Sequence, residues 1–464
     1  MSTPPLIWVD VTTLINWRRP AVGIIRVEQQ LCLWLLRHVP QQIHFCRYER
    51  DRGQFYRVGA DDVRQALQRI SAYSGEAAGG GARAPSGRLR RLYRRATRLI
   101  GHLPPRLGMA LTNALTRAKP GILRALQGIR RQGARLAGGR ALLEHPLPGE
   151  PVELPPGSIY MSLGLDWDYK DMAQLYRLKQ ERALKYLFFC YDTIPVRLPQ
   201  LCVADVSRQF AHYFADLAWG ADLILCISES TQRDLHDLLS RIGVPSPATA
   251  VIRLGGDILP GASASGADSP PRSEALVRLL EQPYILFVST IERRKNHEIL
   301  YRAYARLAEK GVRVPPLVFV GMPGWGVQEL MSDLALDPRV RGLIHQLNHA
   351  SDAELAMLYR HAAFTVYPSL YEGWGLPVAE SLAFGKFCLC SNTSSLPEVG
   401  EDWVEYLDPW DLPGWVERLE HYITHPEEVA RRNAGIAAGY RPHPWSSTAE
   451  KIYTHATQLL PAPE

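Results

Sequence analysis

Two glutamates, Glu372 and Glu380, stand with seven residues between them in YPSLYEGWGLPVAESLAFGK, residues 367–386, and two glycines and a proline lie in the interval. A carboxylate accepts hydrogen bonds from hydroxyl groups. The first amides of a helix are unpaired and, with the helix dipole, favour an anion such as phosphate. Glycine at 373 and 375 lets a backbone approach a ligand with no Cβ in the way, and Pro377 suits the first turn of a helix. Acids facing hydroxyls beside amides facing phosphate describe a site for a nucleotide sugar. On spacing alone, the competing reading is an ordinary strand, loop and helix junction with Glu380 favoured by the helix N-terminus.

Such a junction needs a scaffold of parallel strands, and the chain alternates accordingly. LIWVDVTTLI reads as a buried strand, NWRRPAVG as a loop and IIRVEQQLCLWLLRH as a helix. LKYLFFCYDTIP and ADLILCISESTQRDL repeat the pattern, and Ser228 is placed to cap the helix that follows the second strand. A stretch rich in Gly, Ser, Ala and Pro begins at Asp257 and reads as a linker. After it YILFVST, HEILYRAYARLAEKG, PLVFVG, DAELAMLYRHA and FTVYPS resume the alternation. Alternating strands and helices imply parallel α/β sheets.

With 464 residues, two domains are expected, and 46% hydrophobic with 22% charged residues is the balance of an ordinary globular protein. The N-terminus lacks the basic start and cleavage pattern of a secretory signal, and no apolar run approaches bilayer length, so a cytoplasmic protein is expected. The seven scattered cysteines read as reduced, buried thiols, and no pair of them has metal-ligand spacing.

The run from Asp352-Ala-Glu-Leu through Tyr359, Tyr367-Pro-Ser, Glu372-Gly-Trp-Gly-Leu-Pro and Glu380 to Ser391-Asn392 and Pro397-Glu398-Val399 closely resembles the donor-site signature of retaining glycosyltransferases of family 4, the E-x7-E group with the GT-B fold. The likeness reaches back through STIERRKNH, residues 289–297, and more weakly through Asp10-Val-Thr, Gly23-Ile-Ile-Arg26 and Tyr191-Asp192-Thr-Ile-Pro195. It implies two Rossmann-like doubly wound domains facing across a cleft. An N-terminal acceptor-binding domain would cover 1–260, with a basic insertion at about 75–150. A linker at 261–280, a nucleotide-sugar domain at 281–444 and a last helix within 445–464 that crosses back would complete the chain.

The same resemblance assigns roles. Glu372 would approach the donor hexose and the reacting centre, and Glu380 would hold the ribose. Lys295, with Arg294 beside it, would neutralise the diphosphate, and Gly373, Trp374, Gly375 and Leu376 would line the donor. Cations aimed where the leaving group gains charge lower the barrier most, so neither cofactor nor metal is required beyond the donor. The acceptor would meet Gly23, Arg26, Tyr191 and Asp192, with Asp192 orienting it for reaction or, on the other reading, stabilising the turn before Pro195. Asp166, at the end of a probable strand in LGLDWDYKD, is a further acceptor candidate because such loops line the ligand crevice of open α/β sheets. His345 and His349 receive no role. The carboxylate pair of a glycoside hydrolase would have no need of Lys295 or a phosphate-ready helix start.

Two departures from the family pattern stand out. Ser289 occupies a position where many members carry arginine, and Tyr191 one where many carry histidine. The expected reaction is retaining transfer of a hexose, mannose first and GDP-mannose as donor, to a growing polysaccharide or lipid-linked glycan. A sugar-nucleotide epimerase of the same architecture and a non-catalytic assembly subunit are the alternatives.

Charge is concentrated in one place. Residues 83–140 hold fourteen arginines and Lys119 with no acid, a charge of +15 that leaves −9 on the rest of a +6 chain. In RLRRLYRRATRLI the apolar residues fall at helical spacing and arginines occupy the remainder, which suits an anionic bilayer surface. A peripheral position at the inner membrane face is the first expectation for this segment. Packing on its own domain is the next, and nucleic acid the least favoured because Tyr93 is its only aromatic residue.

Overall fold

The computed structural model describes residues 6–18, 21, 23–71, 149–202, 206–257, 274–348 and 350–460. The arginine-rich segment 83–140, His349 and residues 258–273 lie outside the described residues.

Two sheets account for the alternation. The first contains β1 (Ile7–Asp10), β2 (Ile43–Glu49), β3 (Gln54–Val58), β4 (Pro151–Val152), β5 (Ile159–Ser162), β6 (Lys185–Cys190), β7 (Leu223–Cys226) and β8 (Ala248–Val251), in the spatial order β4-β3-β2-β1-β5-β6-β7-β8. All neighbours pair parallel except β2 with β3 and β3 with β4. The second contains β9 (Ile285–Val288), β10 (Leu317–Val320), β11 (Ile344–Leu347), β12 (Phe364–Tyr367), β13 (Cys388–Ser391) and β14 (Glu405–Leu407), ordered β11-β10-β9-β12-β13-β14 and parallel throughout. Strands such as Leu187–Cys190 and Leu317–Val320 are buried on both faces, which is why they read as unbroken apolar runs rather than alternating ones.

Strand order reverses beside β1 in the first sheet and beside β9 in the second. Ligand crevices of open α/β sheets lie outside the carboxyl ends of the strands at such points. In the first sheet that place falls between the ends of β1 and β5, and in the second between the ends of β9 and β12.

Helix boundaries follow local chemistry. Ser228 accepts a bond from the Thr231 amide at 3.0 Å to start helix Glu229–Ile242, and Gly243 ends it with φ +70°. Ser351 and Glu354 form a reciprocal capping box at the start of helix Asp352–His361. Helix Glu274–Leu280 forms within the expected linker 261–280 and buries Leu276 and Leu279. The last helix, Trp445–Gln458, lies on the first domain: its Tyr453 ring is 5.7 Å from that of Trp34, and its Thr448 hydroxyl donates to the Arg253 carbonyl at 2.9 Å. None of the seven cysteines is in a disulfide, and all but Cys202 are buried.

Candidate active site

Strand β12 delivers the chain into the loop Pro368–Gly375, and helix Leu376–Ala383 leaves it with Pro377 in the first turn. Gly375 has φ +128°, a region closed to side chains, and a Cβ there would come within 2.7 Å of the Leu396 side chain. Gly373 serves a purpose that differs from the one its sequence suggested. A Cβ on it would lie 2.1 Å from the Tyr191 carbonyl oxygen, so its bare face admits the backbone of the first domain rather than a ligand. Trp374 is buried beside it, and its indole N–H has no hydrogen-bond partner among the described residues.

The Glu372 carboxylate is the centre of a dense polar group. Arg294 donates to its Oε2 at 2.7 Å, Lys295 to its Oε1 at 2.5 Å, Ser369 at 2.6 Å and Tyr367 at 3.1 Å. Burial pushes this carboxyl up, but the charges of Arg294 and Lys295 outweigh it and hold its pKa at about 2. Burial and the neighbouring Arg294 lower the Lys295 ammonium, while the Glu372 carboxylate pulls it back up. The two cations come from the turn after β9 and the acid from the loop after β12, so strand order at the reversal point brings them together. Ser289, standing where an arginine was expected, bonds only locally to the Thr290 carbonyl and lies 3.5 Å from His297. Arg294 is the second cation on the Glu372 carboxylate.

Glu380 sits one helix turn further on, where the Tyr359 hydroxyl donates to it at 3.0 Å. Its other oxygen is 3.5 Å from the Arg26 guanidinium, which also reaches Asp352 at 3.6 Å and donates to the Ala21 carbonyl. Arg26, expected from sequence at the acceptor, therefore stands against Glu380, because helix Ile24–His38 starts opposite helix Leu376–Ala383. Gly23, the N-cap of the former helix with φ +51°, is exposed, and nothing among the described residues lies within 4 Å of where its Cβ would be. Leu376 is half-buried at the start of the latter helix.

Three further acceptor candidates divide. Asp192 accepts from the Ile194 amide at 2.9 Å, the turn-stabilising bond. Burial raises its pKa while Arg294 opposes the rise, which places it in the field of the Glu372 cluster. Tyr191 is buried and its hydroxyl donates to the Leu163 carbonyl at 2.6 Å, so that group faces the domain interior instead of a sugar. Asp166, expected at the acceptor, is 1% exposed and pairs with Lys170 at 2.7 Å, so its carboxylate is engaged inside the domain. A polar turn looks the same in sequence whether its aspartate meets water or a buried lysine.

Sequence reasoning gave no role to several groups at the contact between the two domains. Glu398 accepts from the Glu229 and Ser230 amides at 2.7 and 2.8 Å, capping a first-domain helix from the second domain. Ser228 donates to the Gly373 carbonyl at 2.8 Å, and the Tyr371 hydroxyl donates to Asp234 at 2.6 Å. Each pair is more than a hundred residues apart in the chain, so no local pattern could announce it.

The family model of glycosyl transferases group 1 matches residues 271–434. An O-antigen chain mannosyltransferase B of Escherichia coli is 33% identical over 200 residues, covering 42% of this chain and 49% of that protein. A D-inositol 3-phosphate glycosyltransferase of Thermobifida fusca (strain YX) is 31% identical over 206 residues, covering 42% and 48%. The chain thus spans about half the length of these relatives. Among solved structures, a sucrose-phosphate synthase from Thermosynechococcus elongatus superposes with a TM-score of 0.56 at 16% identity, covering 98% of this chain and 99% of that one. Anabaena HepE in complex with UDP and glucose superposes at 0.52 with 14% identity, covering 65% and 78%. The fold is GT-B, and residues 271–434 are similar to the glycosyl transferases group 1 family.

Proposed function

We propose that the protein transfers a hexose, mannose first, from a nucleotide diphosphate sugar to a growing polysaccharide or lipid-linked glycan, with retention at the anomeric carbon. The observation that carries the reading is Glu372 held ionised between Arg294 and Lys295 at the strand-order reversal, with Glu380 one helix turn beyond. As the bond from anomeric carbon to oxygen breaks, electrons pass to the diphosphate. Arg294 and Lys295 offset that charge from fixed positions. The departing phosphate oxygen accepts the proton of the attacking hydroxyl, so no side-chain base is needed. Glu380 would hold the ribose hydroxyls, which places Arg26 in competition with them for the same carboxylate.

Mannose is the first choice because similar proteins include mannosyltransferases, and GDP is taken with it as the carrier to test first. A panel of nucleotide sugars screened for thermal stabilisation tests this, since a ligand that binds the folded form raises its melting temperature. GDP-mannose should give the largest shift, and a response confined to another nucleotide would replace it. Transfer of label from the responding donor to a glycan separates a transferase from an epimerase or a non-catalytic subunit.

The arginine-rich segment 83–140 fits an anionic membrane surface carrying a lipid-linked acceptor. Among the described residues no helix is long and apolar enough to cross a membrane. Sedimentation with anionic vesicles, release as salt screens the charges and weaker binding on changing Arg90, Arg91, Arg94 and Arg95 to glutamine are expected. Vesicle binding unchanged by those substitutions would remove the segment from this role.

A further inference from the structure

A cleft of about 500 Å³ opens beside the Glu372 loop, lined by Leu198, Gln200 and Leu201 from the first domain and Arg293, Leu370, Tyr371 and Trp410 from the second. Trp410 is 73% exposed, an unusual state for the largest apolar side chain. Its backbone is firmly held: its amide donates to Asp408 at 2.8 Å, and its carbonyl accepts from the Leu412 amide at the start of a helix. The preceding Pro409 carbonyl accepts from the Asn296 side chain at 2.8 Å, and the Leu370 amide donates to the Arg294 carbonyl at 2.8 Å. The second-domain side of the cleft is therefore tied to the turn that carries Arg294 and Lys295, and Tyr371 adjoins Glu372 in the chain. Among the described residues the side chains of Gln200 and Arg293 have no hydrogen-bond or ion-pair partner.

An aromatic face held open to water, a second ring and two unengaged polar groups are what a sugar ring requires. Its apolar C–H face packs on indole, and its hydroxyls bond to amide and guanidinium. We infer that this cleft is a subsite for the acceptor glycan, in which a sugar unit stacks on Trp410 while Gln200 and Arg293 hold its hydroxyls, presenting the chain to the centre at Glu372. The inference rests on the transferase reading for what the glycan is there to do. Its own content is the site.

Titration of α-mannotriose, maltotriose and chitotriose into the parent protein, Trp410→Ala and Trp410→Phe tests it by calorimetry, with GDP and UDP titrated in parallel. At least one trisaccharide should bind the parent, weaken about tenfold or more in Trp410→Ala and recover most of the loss in Trp410→Phe. Nucleotide affinity should be equal in all three proteins, which also shows that the variants are folded. Equal trisaccharide binding by parent and Trp410→Ala, or no trisaccharide binding by the parent, overturns the subsite. Trisaccharide binding through Trp410 in a protein that neither binds nor turns over any nucleotide sugar keeps the subsite and sinks the transferase reading instead.

Discussion

The two sheets reverse strand order at corresponding places, and each places a lysine among acids there, yet the two clusters differ in kind. In the second domain Lys295 meets Glu372 with 13% and 8% of their side chains exposed, lying in the contact between domains. In the first domain Lys170 meets Asp10 at 3.0 Å and Asp166 at 2.7 Å, with all three side chains at most 2% exposed. Ser162, Thr12 and Tyr160 complete the hydrogen bonding of those acids. Burial opposes the charge on Lys170, but Asp10 and Asp166 outweigh it and raise its pKa. The first reversal point is thus filled by the protein's own ion pairs, and the second keeps its charges where a substrate can compete for them. The same residue types make a structural cluster when sealed and a candidate site when left at a cleft.

The largest test of that contrast is Lys170→Met. Removing one partner from a buried cluster leaves carboxylates uncompensated, which costs about 3–5 kcal/mol. Denaturant unfolding should show that loss, and Lys295→Met should show much less because its cluster is less completely sealed. Equal losses would erase the distinction. Lys295→Met should instead act on rate, lowering transfer about 100-fold to 1,000-fold, as expected for removal of one charge-stabilising group. Transfer within threefold of the parent would remove Lys295 from the leaving-group role.

Glu380→Ala should weaken nucleotide binding by about 1–3 kcal/mol through loss of an acceptor for ribose hydroxyls. An unchanged dissociation constant by calorimetry would assign Glu380 to the Arg26 contact alone.

A pH-dependent effect concerns Glu28, which lies 1% exposed beside the Lys170 cluster with both carboxylate oxygens lacking hydrogen-bond partners among the described residues. Burial first, and then Asp10, push its pKa up to about 8, with Lys170 opposing and Asp166 adding a little. A carboxyl whose folded pKa is raised binds more protons folded than unfolded, so its stability contribution is present below about 4.5 and is lost as pH rises through about 8. Glu28→Gln should therefore melt a few degrees above the parent at pH 9 and show a flatter dependence between pH 5 and 9. Parallel melting curves for the two proteins across that range would show that Glu28 does not titrate there.

Much of the second domain was legible because its signals are local. Pro377 and Gly375 mark a helix start, Ser351 and Glu354 a capping box, and the apolar runs at 285–288 and 364–367 their strands. Glu372 and Lys295 were each singled out through a known signature, with separate roles, and the structure sets them 2.5 Å apart. The errors fell on residues whose meaning depends on what lies opposite them. Asp166 looked like a crevice acid until Lys170 closed over it, and Gly373 looked like ligand clearance until the Tyr191 carbonyl occupied the space.

The sequence by itself determined the alternation of strands and helices, the loop that presents Glu372 and the basic turn at residues 293–295, because backbone preference, capping and charge type act over a few neighbouring residues. Tertiary structure alone decided which charges were sealed and which stayed open. It also set Arg26 against Glu380 and brought Trp410 to the rim of a cleft shared with residues 198–201. Burial and electrostatic partnership are properties of what two distant segments do to each other's access to water, and no local pattern of residues contains that information.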